Sequence, residues 1–479
     1  MSISQVALPK ELSGDIDFQL PAGLSSYPVR VVPSNLSSIT TGDLPSLTAS
    51  TLTSLAFPAN PIIFDIPTGQ GKGVHCDFRY STLSFRVNYQ VVNAGTSQII
   101  SQAYLRSNAQ SWIERATTYG PNGVILDDIG SFGLVADTML QLEMDNSQRD
   151  VLSSMYGLLQ ETTTDSNLNQ GHKIGNWATG AALSATGSSY YSYCVPLMNS
   201  LIGVDAKKMF PVGSVPKLQI QLTTPAIAPI TLQTGTGSGA VLRITIDRIQ
   251  LNLQYVDVGQ DGVKMMSNAG LKYFPATTYR VSNSIIPALA GGQLSILTGL
   301  KGSSVRSIIT RINDTAFSTA GSVNGVYDAK SLLSVATNYN VNGLRVPSFP
   351  VDQIHDTALA FATLQECNSA FSPREMKSSI TPQRFGVYLA SSSVPTDRDA
   401  TMDTTASTFD NLASSFFGYN LEKISKVGIM DGANLQSGNT YFEVNTGSST
   451  VTNTCMAYFI SKQDIIYILD ESGEVSVRM

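Results

Sequence analysis

The chain has 479 residues, of which 42% are hydrophobic and 14% charged, with a formal net charge of −6. The charged fraction lies well below the roughly 25% of an ordinary soluble protein, so Ser, Thr, Asn and Gln must supply the polar faces, and such a weakly solvated surface suits packing against copies of itself. The basic residues are dispersed and form no field for nucleic acid, and no uncharged apolar run reaches the length of about 18 residues that a membrane-spanning helix needs.

In chain order, residues 1–50 read as an extended arm. The opening "MSISQVALPKELSGDIDFQLPAG" has one lysine before its acidic residues and no apolar core, so it matches neither a signal peptide nor a basic genome-binding arm. A strand is expected at Ile62 to Ile66. The clearest strand is "TLSFRVNYQVV", where Leu83, Phe85, Val87, Tyr89 and Val91 alternate with polar residues and give one buried and one wet face. Trp112 to Tyr119 reads as a further strand and Phe132 to Leu142 as a helix. A second helix opens on Ser147 and Asp150 as a capping-box-like pair, with Val151, Leu152, Met155, Tyr156 and Leu159 on one face.

Glu161 to Ser189 is poor in apolar residues and reads as a long loop. The punctuated stretch "YCVPLMNSLIGVDAKKMFPVGSVPKLQIQLT" follows, ending in a strand at Lys217 to Leu222. In "VLRITIDRIQLNLQYV" the apolar set changes phase between Ile246 and Ile249. A one-residue slip would turn the core face outward, so a β-bulge is expected near Asp247-Arg248. In the second half, strands are expected at Gln293 to Leu297, Val305 to Ile312, Phe385 to Leu389, Met456 to Ile460, Ile465 to Leu469 and Val475 to Val477, with a helix at Thr357 to Ala370. Each half runs strands, helix, strands without a residue-level repeat. That layout predicts an all-β chain of two similar domains, 51–258 and 259–479, hinged near "DVGQDGVKMMSNAG".

Reactive chemistry finds no anchor. His75, His172 and His355 are scattered and lack zinc-ligand spacing. His75 and Cys76 are adjacent on a strand, and so should point to opposite faces, one inward and one outward, rather than form a nucleophile pair. "GTGSGA" (Gly235 to Ala240) precedes a strand rather than a helix, and "TGQGKG" (Thr68 to Gly73) lacks phosphate-loop spacing; both read as turns. The carboxylate pairs Asp127-Asp128 and Asp470-Glu471 lack calcium-loop spacing and read as caps at element ends. Cys76, Cys194, Cys367 and Cys455 show no C-x-x-C spacing and read as reduced, mostly buried thiols. The sequons at Asn35 and Asn313 read as chance matches. The expectation is therefore a non-enzyme, with no catalytic, cofactor-binding or metal residues.

Three stretches carry a resemblance. "SNAQSWIERATTYGPNGVILDDIGSFGLVADTML", with Trp112-Ile113, Arg115, the turn Pro121-Asn122-Gly123 and then Leu126-Asp127-Asp128-Ile129, resembles the strand, acidic turn and helix of double jelly-roll major capsid proteins of eukaryotic double-stranded DNA viruses. "CVPLMNSLIGVDAKKMFPVGSVPKLQIQL", with Val195-Pro196-Leu197, Lys207-Lys208 and Phe210-Pro211, is similar to a later segment of that family, and "DIIYILDESGEVSVRM" to its closing strand pair. The likeness is nearest to the polinton-like virus and virophage type. It implies two tandem eight-stranded jelly-roll β-sandwiches with short helical insertions, a homotrimer of pseudo-hexagonal outline, and an icosahedral shell tiled with neighbouring capsomers. Penton and minor capsid proteins follow as further partners, and a membrane beneath the shell is one that the resemblance allows. It places the polar stretch Glu161 to Ser189 on the outer face of the trimer. The competing expectation from the residues is a two-domain β-sandwich that binds glycans through its loops, as a spike would.

Overall fold

The computed structural model describes residues 25–40, 61–93, 100–105, 108–158, 172–176, 186–203, 205–225, 229–234, 240–259, 263, 272–288, 291–314, 329, 332, 334–353, 355–367, 378, 380, 416–422, 432–447, 451 and 454–478. The first half contains β1 (Ser25–Val31), β2 (Ser38–Thr40), β3 (Ile62–Ile66), β4 (Val74–Asn93), β5 (Ile100–Leu105), β6 (Arg115–Tyr119), β7 (Ile125–Gly130), α1 (Phe132–Glu143), α2 (Asn146–Tyr156), β8 (His172–Asn176), β9 (Thr186–Pro196), β10 (Leu218–Thr223), β11 (Ile230–Thr234) and β12 (Ala240–Asp257). The second contains β13 (Lys272–Ile286), β14 (Gln293–Leu297), β15 (Val305–Asp314), β16 (Ala336–Val341), β17 (Leu344–Val351), α3 (Thr357–Glu366), β18 (Phe416–Asn420), β19 (Thr440–Asn445), β20 (Cys455–Leu469) and β21 (Val475–Arg478).

The second half pairs as β13-β20-β15-β18 facing β14-β19-β16-β17. Numbered from β13, the eight strands run 1-8-3-6 and 2-7-4-5, which is the jelly-roll order of two Greek keys. The first half repeats it as β1-β12-β4-β9 and β3-β10-β6-β7. Three extra strands, β11-β5-β8, form a separate sheet from insertions between the third and fourth, fifth and sixth, and seventh and eighth strands of that first roll. The chain is thus two tandem eight-stranded jelly rolls with short helical insertions.

Alternation builds each core. Leu83, Phe85, Val87 and Tyr89 of β4 and Ile244, Ile246, Ile249, Leu251 and Leu253 of the adjacent β12 share the buried face of one sheet, all at most 5% exposed. The expected bulge is present: pairing of β12 with β4 shifts between Asp247 and Gln250, and Arg248 takes a φ of 52° there. The extra residue changes the phase of the apolar set, so both parts of β12 bury the same face.

Several expectations are corrected. Trp112 does not begin a strand: Ala109–Trp112 is a 3-10 turn whose cap, Asn108, accepts from the Gln110 amide at 2.7 Å, and β6 starts only at Arg115. The cap of α2 is not Ser147 but Asp145, which accepts from the Gln148 amide at 2.7 Å while the Gln148 side chain accepts from the Asp145 amide. The two strands expected at Met456 to Ile460 and Ile465 to Leu469 are one, β20. Its polar middle stays in the sheet because Gln463 donates to the Lys301 carbonyl and Asp464 accepts from Ser304 and Arg306. His75 and Cys76 do not split into inward and outward: they are 4% and 0% exposed, because this end of β4 is covered on both faces. Residues 25–31, within the expected arm, form the edge strand β1 on β12. The stretch expected as a loop from Glu161 to Ser189 contains β8 and the start of β9, which pair with β5 and β4. The strand expected at Phe385 to Leu389 lies outside the described residues.

Candidate functional site: the joint between the rolls

The stretch from Tyr193 to Thr223 leaves β9 in one sheet of the first roll and re-enters the other as β10, which is why prolines and glycines interrupt it. On the way it lines the second roll. Residues 205 and 206 lie against β13, with the Thr277 amide donating to the Asp205 carbonyl at 3.4 Å and Ala206 bridging Ala276. Phe210 meets Phe274 edge-on at 5.1 Å between centroids. Gly473, in the turn between β20 and β21, has φ +86°, and a Cβ there would fall 2.4 Å from the Ser214 carbonyl oxygen; only glycine permits this approach.

The polar centre of the joint is Asp127 on β7, at 0% exposure. One carboxylate oxygen accepts from Thr278 Oγ1 at 2.7 Å and Arg280 Nη1 at 3.3 Å, both on β13, and from the Asp128 amide at 2.9 Å. The other accepts from the Ser200 amide at 3.2 Å and from Ser200 Oγ, which also bonds Tyr467 of β20. Arg280 donates further to the Asp128 carbonyl. The Asp128 carboxylate points the other way, to Arg115 at 2.6 Å and Thr117 at 2.9 Å, and the Arg115 guanidinium holds it below the usual carboxylate range. The pair expected to cap an element end therefore does different work, with Asp127 tying one roll to the other.

Helix α1 adds two ion pairs across the joint. Asp137 bonds Arg311 Nη1 of β15 at 2.5 Å, with the guanidinium fully buried over the Phe416 ring, and Glu143 bonds Lys462 of β20 at 2.8 Å. Desolvation of the buried Asp137 and Arg311 offsets much of their attraction, so that pair fixes the relative position of the rolls more than it adds stability, and the pair of the exposed Glu143 contributes little. Asp470 sits in the turn before β21 and accepts from Ser472 Oγ and the Glu474 amide, a turn-capping role as expected. His75 contacts the Gly73 carbonyl, and His355 pairs with Asp352 at 2.8 Å. Among the described residues no three His, Cys, Asp or Glu side chains gather as a metal site.

The joint is used once within the chain. The fifth strand of the first roll, β7, meets the first strand of the second roll, β13. Among the described residues, the matching fifth strand of the second roll, β17, pairs only with β16, and the matching first strand of the first roll, β1, pairs only with β12. Both carry exposed apolar side chains: Leu344 at 73% and Phe349 at 53% on β17, and Tyr27 at 37% on β1 with Val32 at 62% beside it.

No protein-family profile and no curated protein sequence matches this chain. Solved structures do. A chain of the Sputnik virophage aligns over 97% of this chain and 90% of its own length, with a TM-score of 0.59 and 10% identity. The mavirus major capsid protein aligns over 97% and 92%, with a TM-score of 0.53 and 12% identity. The Faustovirus major capsid protein aligns over 94% and 92%, with a TM-score of 0.53 and 10% identity. The fold is therefore the double jelly roll seen in these viral major capsid proteins, at sequence identities of 10% to 12%.

Proposed function

We propose that this chain is the major capsid subunit of a double-stranded DNA virus infecting a eukaryote, a structural protein whose work is assembly and which uses neither catalysis nor cofactor. The observation that carries the reading is the double jelly roll, shared over nearly the full length of both chains with the mavirus and Faustovirus capsid proteins. The half-used joint supports a homotrimer. If β17 of one copy meets β1 of the next as β7 meets β13 within the chain, the contact is head to tail, and such contacts form rings when the rotation closes. Three copies would supply six rolls and a pseudo-hexagonal outline. Such trimers would tile an icosahedral shell with neighbouring capsomers, and penton and minor capsid proteins would complete the virion; nucleic acid would not be bound directly. The roll boundary falls at 258/259, with β1 and β2 added to the first roll.

Native mass measurement of the purified chain tests this. The expected result is a trimer at micromolar concentration and a shift toward monomer in Leu344→Asp/Phe349→Asp, at unchanged circular dichroism, since both side chains are already exposed. A wild-type chain that is monomeric, or a trimer that ignores the double substitution, rejects the proposed contact.

A further inference from the structure

Asp205 stands apart from the other acids of the joint. Its Oδ1 accepts from Tyr279 OH of β13 at 3.2 Å, while its Oδ2 is buried with no hydrogen-bond partner among the described residues. The charged groups around it are committed elsewhere. Lys462 of β20 is bonded to Glu143 of α1, Arg280 of β13 to Asp127 of β7, and Arg306 of β15 to Asp464 and Glu422. Glu143 and Asp127 act on Asp205 as like charges, Lys462 as the opposing one. Among the described residues no cation is bonded to Asp205, and although the residue is part-exposed its Oδ2 is buried, so a carboxylate charge there would be poorly compensated.

We propose that Asp205 enters the joint as the neutral acid and serves as its proton latch: loss of that proton to solvent puts an unpaired charge between the rolls and loosens their contact. Burial first, and then the Glu143 charge, pushes the Asp205 carboxyl up to about 7. An unfolded aspartate titrates near 3.8, so between about pH 4 and pH 7 the folded chain holds a proton that the unfolded chain has lost. Stability is then fully present below that window, falls as pH rises through it, and is level above it. The inference concerns the joint within one chain, so it stands or falls separately from the capsid reading.

The test compares thermal midpoints of the wild type and Asp205→Asn across pH 5 to 8.5. The amide mimics the neutral acid, so the advantage of the variant over the wild type should grow as pH rises from 5 toward about 7, and flatten above it. A difference that is constant with pH overturns the proposal. Infrared spectra of the wild type provide a readout independent of the substitution: a protonated-carboxyl band should persist at pH 6 and vanish by pH 8.5. In Glu143→Gln, where one like charge is gone and Lys462 is freed, its loss should move to lower pH. An unmoved band in Glu143→Gln, or no such band at pH 6, also overturns it.

Discussion

At Leu253 and Asn252, neighbours on β12, the consequence of alternation can be measured directly. Leu253 is 2% exposed, whereas Asn252 faces the polar side and donates to Thr82 and Ser84. Leu253→Asp should cost about 3–5 kcal/mol, the scale for an uncompensated buried charge, and abolish soluble yield, while Asn252→Asp should lose only its hydrogen bonds, about 1 kcal/mol. Equal damage in a solubility and denaturation assay would contradict the phase of this strand. Arg248 offers a second residue-scale check, because its φ of 52° is one that branched side chains tolerate poorly. Arg248→Gly should be neutral or slightly stabilising and Arg248→Val destabilising by about 1–2 kcal/mol. Matching thermal midpoints for the two variants would mean that the bulge is not strained.

At the scale of elements, strands with one buried and one wet face were readable from period two: β3 and β14 have the expected bounds, and the phase change in β12 located its bulge. Edge strands were not. β17 is exposed at five of eight positions and β1 at five of seven, so neither shows an alternating apolar face. The joint was also illegible, because the partners of Asp127 lie 73, 151 and 153 residues away, beyond any local spacing rule. A faint signal did exist: in a chain with so few charges, Arg280, Arg311 and Lys462 sit inside strands, where a charge is costly unless paired. The Asp137–Arg311 pair tests what that pairing does. Arg311→Met alone should destabilise by about 3–5 kcal/mol by removing the buried cation that offsets the Asp137 charge, and adding Asp137→Leu should recover most of the loss. If the double variant is no more stable than Arg311→Met, α1 is not held to β15 through this pair.

For the molecule as a whole, the strand order repeats from one roll to the other, and among the described residues only one of the two contacts that this repetition makes available is made. Among the described residues, β17 and β1 are sheet edges with exposed apolar side chains, the kind of edge that invites pairing with another chain unless it is covered. Low charge over the rest of the chain offers little repulsion against association. The proposed assembly by copies of itself would cover those edges and would account for a surface that would serve a solitary protein badly. The most direct measurement is negative-stain imaging of the purified full-length chain. The account predicts compact particles of hexagonal outline built from three copies, alone or tiled into shells; fields of solitary two-lobed particles, with no ring at any concentration, would contradict it.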